Sequence, residues 1–390
     1  MRGLRRKAAL CILLLGIFLT TVGDALASIA FTLQAAKSNR PDILALVLLS
    51  DLIPGIIFGL LGGVLADKKL RWWWPCVLFV QAVLYAVMAF SLQWHVIFVG
   101  IAVVSGLNAL IGPVSKKLVA HYSDNTHRVG AQLALISGTA QAIGLLLGGL
   151  SMGFGAIKYL LLGTTVALGA FALISLWVDV PQAIHIDRTP QNRTFKGFQI
   201  LASAQLFGFA GLILLVGVIL STSFEGVVNV FVLTGSAKFS TVEFAIASAV
   251  WALSLMIGSL IAPRLKLAGY SGLACAGLGI GLPIVLVGIF LPSLEIVFFL
   301  YALGGFSNGL FNALINGAIL GVSARLQGRS WAAFHWIVNM CFLMGYTAGG
   351  FFGAIYAREL MILAGGGVIL LIFLCSLFRR VLKRKHISPR

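Results

Sequence analysis

Charge is scarce in this chain. Only 10% of its 390 residues are charged, and the acids number 11 against 28 Lys and Arg, where soluble globular domains carry about 25% charge. That shortage excludes water as the main solvent. Cysteine is also sparse and odd in number: Cys11, Cys76, Cys275, Cys341 and Cys375 all fall in apolar runs, so neither a disulfide framework nor metal-ligand spacing is available. The chain lacks a Gly-x-x-x-x-Gly-Lys phosphate loop and a nucleophile elbow, leaving ATP-driven chemistry and hydrolysis without support. We therefore expect no enzyme activity, no cofactor and no metal. What is abundant is apolar residues, at 60% with a mean hydropathy of +1.04. The formal charge of +17 would suggest nucleic acid in a soluble protein, but here the charges sit between apolar blocks, where the partner is a lipid bilayer.

The apolar blocks are long enough to cross a hydrocarbon core of about 30 Å at 1.5 Å per residue. They predict twelve spans, near 8–35, 43–66, 72–92, 95–115, 129–153 and 157–178, then 205–234, 243–263, 269–291, 295–322, 330–356 and 360–378. Alternate breaks hold 23 of the Lys and Arg, and the opposite breaks hold five: Lys37, Arg40, Lys158, Lys238 and Arg358. By the positive-inside rule both termini are expected in the cytoplasm. The basic start, the apolar run from Ala8 and the small residues at 25–27 imitate a secretory signal. A matching segment recurs mid-chain, where no signal can lie. Asn192-Arg193-Thr194 matches a glycosylation acceptor, but on this topology it is cytoplasmic.

An offset of 201 residues lays the chain on itself. It sets Asp24 against Glu225, Arg128 against Arg329, and Gly144, Gly148 and Gly149 against Gly345, Gly349 and Gly350. The duplication predicts an all-α membrane protein of two pseudo-symmetric six-helix bundles, residues 1–178 and 199–390, joined by a polar cytoplasmic linker at 179–198. Such halves build a site near the membrane midplane in transporters. The repeated glycines are expected to be helix-packing positions, because residues without side chains let helices approach closely.

Helix two continues into Gly62-Gly63-Val64-Leu65-Ala66-Asp67-Lys68-Lys69-Leu70-Arg71. This run resembles the cytoplasmic Gly-x-Leu-Ala-Asp-x-x-x-Arg signature of the major facilitator superfamily. Gly144 to Gly149 is similar to the fifth-helix Gly-Pro-x-x-Gly-Gly signature of its antiporters. Leu145 stands where that proline is expected. Gly23-Asp24, Leu52-Ile53-Pro54 and Gly309-Leu310-Phe311-Asn312 are most similar to the macrolide-efflux and siderophore-exporter branch of drug:proton antiporters. The resemblance implies alternating access, with Gly63, Asp67 and Arg71 in a cytoplasmic latch. The residues themselves also allow a plain topology signal with helix packing there.

Three acids stand away from the predicted helix ends: Asp24, Asp51 and Glu225. A carboxylate in the bilayer core costs at least ~2.5 kcal/mol, so it should face a cavity or a partner. Counted from Lys7 and Asp67, Asp24 and Asp51 lie about 25 Å above the cytoplasmic boundary on neighbouring antiparallel helices. They are candidates for proton coupling or for meeting substrate charge, with Glu225 as the equivalent group in the second half. The alternative is that they cap local hydrogen-bond networks.

Asn308, Asn312 and Asn316 recur every four residues and form one polar stripe. With Asn108, Asn339 and His335 they either line a substrate path or bond between helices. Trp251, Trp331, Trp336, Phe224 and Tyr346 either present an aromatic surface to a lipophilic substrate or make core and lipid contacts. Trp72, Trp73 and Trp74, beside Lys68, Lys69 and Arg71, predict an interfacial belt. The sequence thus predicts a multi-pass transporter of the bacterial inner membrane, acting as a monomer. It is expected to export a small lipophilic or cationic compound in exchange for protons. An importer or lipid flippase of the same fold, or a receptor or scaffold that kept the fold, are the rivals.

Overall fold

The computed structural model describes residues 2–38, 41–65, 73–122, 126–176, 194–203, 206–265, 267, 269–291, 293–322 and 324–387. Every regular element among them is helical. In order they are α1 (Arg2–Lys37), α2 (Pro41–Leu65), α3 (Trp73–Phe90), α4 (Trp94–Tyr122), α5 (Thr126–Phe154) and α6 (Ile157–Ser175). Then come α7 (Thr194–Leu201), α8 (Gly208–Val230), α9 (Thr241–Ile261), α10 (Gly269–Phe290), α11 (Leu294–Leu320) and α12 (Ala324–Ile387). All-helical structure is what apolar surroundings demand, since each backbone polar group must find its partner inside its own segment.

Among the described residues, nine helical stretches are long and apolar enough to cross a membrane, and Trp74–Phe90 is a shorter apolar helix. The last of the nine, Ala333–Arg380, has 48 residues, more than one bilayer crossing needs. It lies in α12, whose helical geometry breaks at Tyr356 (φ −117, ψ 33). That break falls where the apolar pattern divides 330–356 from 360–378. α7 begins inside the segment read as a linker.

Large apolar side chains face outward along these helices. Phe90, Phe299 and Leu363 are each about 70% exposed, and Phe154 is 78% exposed. Such a surface would drive aggregation in water and is the expected face toward lipid. Trp74 departs from the belt expectation: it is buried and meets Phe171 edge-to-face at 5.4 Å. Its ring fills the gap between α3 and α6.

The chain divides into two compact units, Met1–Arg188 with Ser240–Ala249, and Thr189–Phe239 with Val250–Arg390. In the first, α1 packs along α5, α2 along α4 and α3 along α6. Gly155, with φ +67, turns the chain from α5 into α6 with only Ala156 between it and the next helix. In the second, α8 packs along α12, and α10 against α11 and α12.

The glycine repeat is a pair of packing seams. A Cβ on Gly144 would lie 2.5 Å from the carbonyl oxygen of Val22 and 2.7 Å from Ala25 Cβ. On Gly148 it would lie 2.5 Å from the Leu26 carbonyl oxygen. In the second unit Gly345 faces Ser223 and Gly349 faces Val227. Those neighbours are 201 residues beyond Val22 and Leu26, so the sequence offset also relates the contacts. Gly149 and Gly350 are buried as well.

Three carbonyls in the last turn of α10 have identified partners. Val287 accepts from Leu291 N at 3.1 Å, while Arg358 donates to Gly288 (3.2 Å) and Ile289 (2.9 Å). A guanidinium at a helix C-terminus meets both the orphan acceptors and the negative end of the dipole.

Candidate functional site

Asp24 sits two-thirds of the way along α1, beside Gly23, where the missing side chain lets Thr164 of α6 approach. Its half-buried carboxylate accepts two hydrogen bonds from two other helices. The Tyr85 hydroxyl of α3 donates to Oδ1 at 2.7 Å, and Asn108 Nδ2 of α4 donates to Oδ2 at 2.7 Å. Gln81, one turn before Tyr85, donates Nε2 to Asn108 Oδ1 at 2.7 Å, which matches an Asn108 amide with its nitrogen toward Asp24. Gln81 and Tyr85 are both buried. Each donor to a carboxylate offsets roughly 1.5–3 kcal/mol of its desolvation.

Asp51 is an exposed residue of α2, and its carbonyl oxygen accepts from Ser105 Oγ of α4. The two acids that the sequence sets at one depth are both tied to α4, Asp51 through Ser105 and Asp24 through Asn108, three residues further on.

In the second unit Glu225 lies in α8 and is 5% exposed. Asn229 Nδ2, one turn along the same helix, donates to its Oε1 at 3.1 Å, and the Tyr301 hydroxyl of α11 donates to the same oxygen at 3.3 Å. Trp251 packs edge-to-face on Tyr301 at 5.6 Å. The close approach is possible because Gly304 and Gly305 leave room for the indole and its backbone. Each unit thus holds a carboxylate on its first long helix, bonded by a tyrosine from another helix and by a carboxamide.

The other expected residues are distributed as follows. Asn312 Nδ2 donates to Asn308, to its carbonyl oxygen at 3.0 Å and to Oδ1 at 3.2 Å, so this part of the stripe bonds along its own helix; Asn316 is exposed. Asn339 is half-buried on α12. His335 is exposed and stacks on Trp331 at 5.7 Å. Trp336 meets Phe198 of α7 edge-to-face at 5.5 Å. Gly63 lies in α2, while Asp67 and Arg71 of the latch lie outside the described residues. An apolar groove of about 480 Å³, lined by Phe79, Val83, Val87 and Phe90 of α3 with Thr165 and Gly169 of α6, contains none of the candidates.

Sequence reading missed Gln81, Tyr85, Tyr301 and Asn229. A signal existed for the first two: Gln81 and Tyr85 are polar at i and i+4 on an otherwise apolar helix. Tyr301 carries no such mark.

The model of the Major Facilitator Superfamily matches residues 13–286 of this sequence, well over half of it. The chain belongs to the major facilitator superfamily. It is accordingly a multi-pass membrane protein with a transporter fold. Solved major facilitator structures resemble it over nearly their whole length. A mutant of the nucleoside transporter NupG has a TM-score of 0.73 at 14% identity, over 94% of this chain and 99% of that one. A bacterial homolog of the human lysosomal transporter Spinster, in an inward-facing and unoccupied conformation, has a TM-score of 0.72 at 13% identity over 99% of both chains. The POT family transporter PepTSo has a TM-score of 0.73 at 14% identity, over 97% of this chain and 98% of that one. A search of curated protein sequences finds no match. At these identities the likeness is one of fold.

Proposed function

We propose that this protein is a proton-coupled secondary transporter that exports a small lipophilic or cationic compound by alternating access. In this reading twelve helices form two bundles, 1–178 and 199–390, with a linker at 179–198 and both termini in the cytoplasm. Asp24, Asp51 and Glu225 carry the proton or meet the substrate's charge. Asn308, Asn312, Asn339, His335, Trp251 and Trp336 are the candidates for the substrate path, and Gly63, Asp67 and Arg71 form the latch.

The observation that carries the reading is the repetition of a carboxylate held by a tyrosine and a carboxamide, once in each unit. A carboxylate kept in an apolar helix costs stability and is retained for work. A proton on it removes the cost of a bare charge during the occluded state. Its release on the other side of the membrane resets the cycle, and differential binding of the proton to the two states supplies the coupling.

Proteoliposome flux under an imposed pH gradient tests this. Asp24→Asn and Glu225→Gln are expected to lose gradient dependence. If both variants keep the native dependence, the coupling assignment is wrong.

A further inference from the structure

Gln81 carries an unexplained feature. Its Nε2 is bonded to Asn108, yet its Oε1 is buried with no hydrogen-bond partner, and the residue is only 1% exposed. Leaving a buried acceptor empty costs about 1–3 kcal/mol, so an amide held in one permanent arrangement would be expected to place its oxygen against a donor. The present arrangement satisfies an ionised Asp24, because both Tyr85 and Asn108 offer it hydrogens.

The same three side chains admit a second arrangement without moving any heavy-atom position. A carboxamide has an acceptor oxygen and a donor nitrogen of nearly equal size, so a half-turn exchanges them. With a proton on Asp24 Oδ2, that hydroxyl donates to the oxygen of Asn108. The turned Asn108 nitrogen then donates to Gln81 Oε1, the acceptor that now stands empty. Tyr85 keeps its bond to Oδ1 throughout. In the present arrangement it is the Gln81 oxygen that lacks a partner, and turning the amide gives it one. The proton on Asp24 decides between the two arrangements.

We propose that Asp24, Asn108 and Gln81 form a reversible hydrogen-bond relay in which loading a proton on Asp24 turns both amides over, making Gln81 a positioning residue for the proton step. The proposal rests on the reading of Asp24 as a proton-exchanging group. The relay spans α1, α4 and α3, so the protonation state of one carboxylate becomes a change of bonding between three helices of the first unit. The proton adds to the Oδ2 lone pair on loading and returns to water on release, and no other bond is made or broken. Among the described residues, the titratable groups acting on Asp24 are Tyr85 and Asp51. α5 and α6 meet α1 beside it, Gly144 against Val22 and Ala25 and Thr164 against Gly23.

The test is pH-difference infrared spectroscopy on the purified full chain in lipid, which needs no substrate. The carboxylic C=O band of Asp24 is assigned by its loss in Asp24→Asn. Gln81→Met, of similar shape but without an amide, is expected to move the pH midpoint of that band by at least ~0.5 unit, about a threefold change in the protonation equilibrium. In an Asn108→Leu background the same substitution is expected to leave the midpoint where it was, because Gln81 acts only through Asn108. A folding defect is checked separately by the melting temperature, and Gln81→Leu repeats the measurement if Gln81→Met does not fold. A band that titrates identically in native and Gln81→Met chains overturns the relay while leaving proton exchange at Asp24 standing. A midpoint shift that persists without Asn108 overturns it too. Absence of any titrating Asp24 band overturns the proton reading itself, and the relay with it.

Discussion

The Tyr85 hydroxyl donates to Asp24 at 2.7 Å, joining α3 to α1 across 61 residues of sequence. The equivalent bond in the second unit, Tyr301 to Glu225, is longer at 3.3 Å. Hydrogen bonds between membrane helices contribute ~0.6 kcal/mol on average and up to ~1.7, and shorter charge-assisted bonds lie at the upper end. Tyr85→Phe is therefore expected to lower the melting temperature in detergent more than Tyr301→Phe, and to slow gradient-driven flux by up to roughly twentyfold where the upper value is lost. Equal losses from the two substitutions would show that bond length does not rank them.

The glycine seams rank as well. A Cβ at Gly148 would lie 2.5 Å from a backbone oxygen of Leu26, whereas one at Gly349 would meet Val227 Cβ at 3.2 Å. A backbone atom cannot rotate aside, so Gly148→Ala is expected to destabilise by ~1–3 kcal/mol and Gly349→Ala by less. Gly163→Ala, in the interior of α6 with nothing within 4 Å, is the control and is expected to leave thermal unfolding unchanged or to raise it slightly through helix propensity. A stable Gly148→Ala chain would contradict the seam.

Trp251 separates packing from chemistry. Trp251→Ala removes the ring that rests on Tyr301 and opens space beside Gly304, at an expected cost of about 2 kcal/mol or more. Tyr301→Phe keeps that ring contact and removes only the donor to Glu225, at an expected cost below ~1 kcal/mol. Thermal unfolding of the pair checks the order.

Arg358 closes the end of α10 through two carbonyls. Arg358→Ala is expected to cost about 1 kcal/mol or less, because the side chain is exposed. Arg358→Lys should recover only part, since an ammonium cannot reproduce the two-pronged geometry of the guanidinium. Full recovery by lysine, measured by hydrogen exchange at residues 287–290, would indicate that charge alone matters.

Much of this architecture is legible in the sequence, because long apolar blocks in lipid have few alternatives to helices. The offset that aligns Gly144 with Gly345 also finds contacts, since small residues recur where helices touch. The carboxylate partners were harder to see. Tyr85 and Tyr301 look like ordinary aromatic residues of apolar helices, and nothing in a one-dimensional pattern says which neighbour a ring will face. Trp74 shows the converse, as its place among tryptophans beside lysines suggests a membrane boundary while its ring fills a gap against Phe171. Asn308 and Asn312 form a visible stripe, yet their mutual bond is satisfied within α11, so periodicity alone did not reveal where they direct their bonding capacity.

Gly148 and Gly349 hold equivalent places in the two seams but not an equal clearance. Leu26 presses its backbone against Gly148, whereas Val227 stands off from Gly349 by enough for a methyl group with slight adjustment. Duplicated halves are thus not interchangeable as engineering targets: an alanine accommodated at Gly349 cannot be transferred 201 residues upstream to Gly148, where even the smallest side chain has no vacancy to enter.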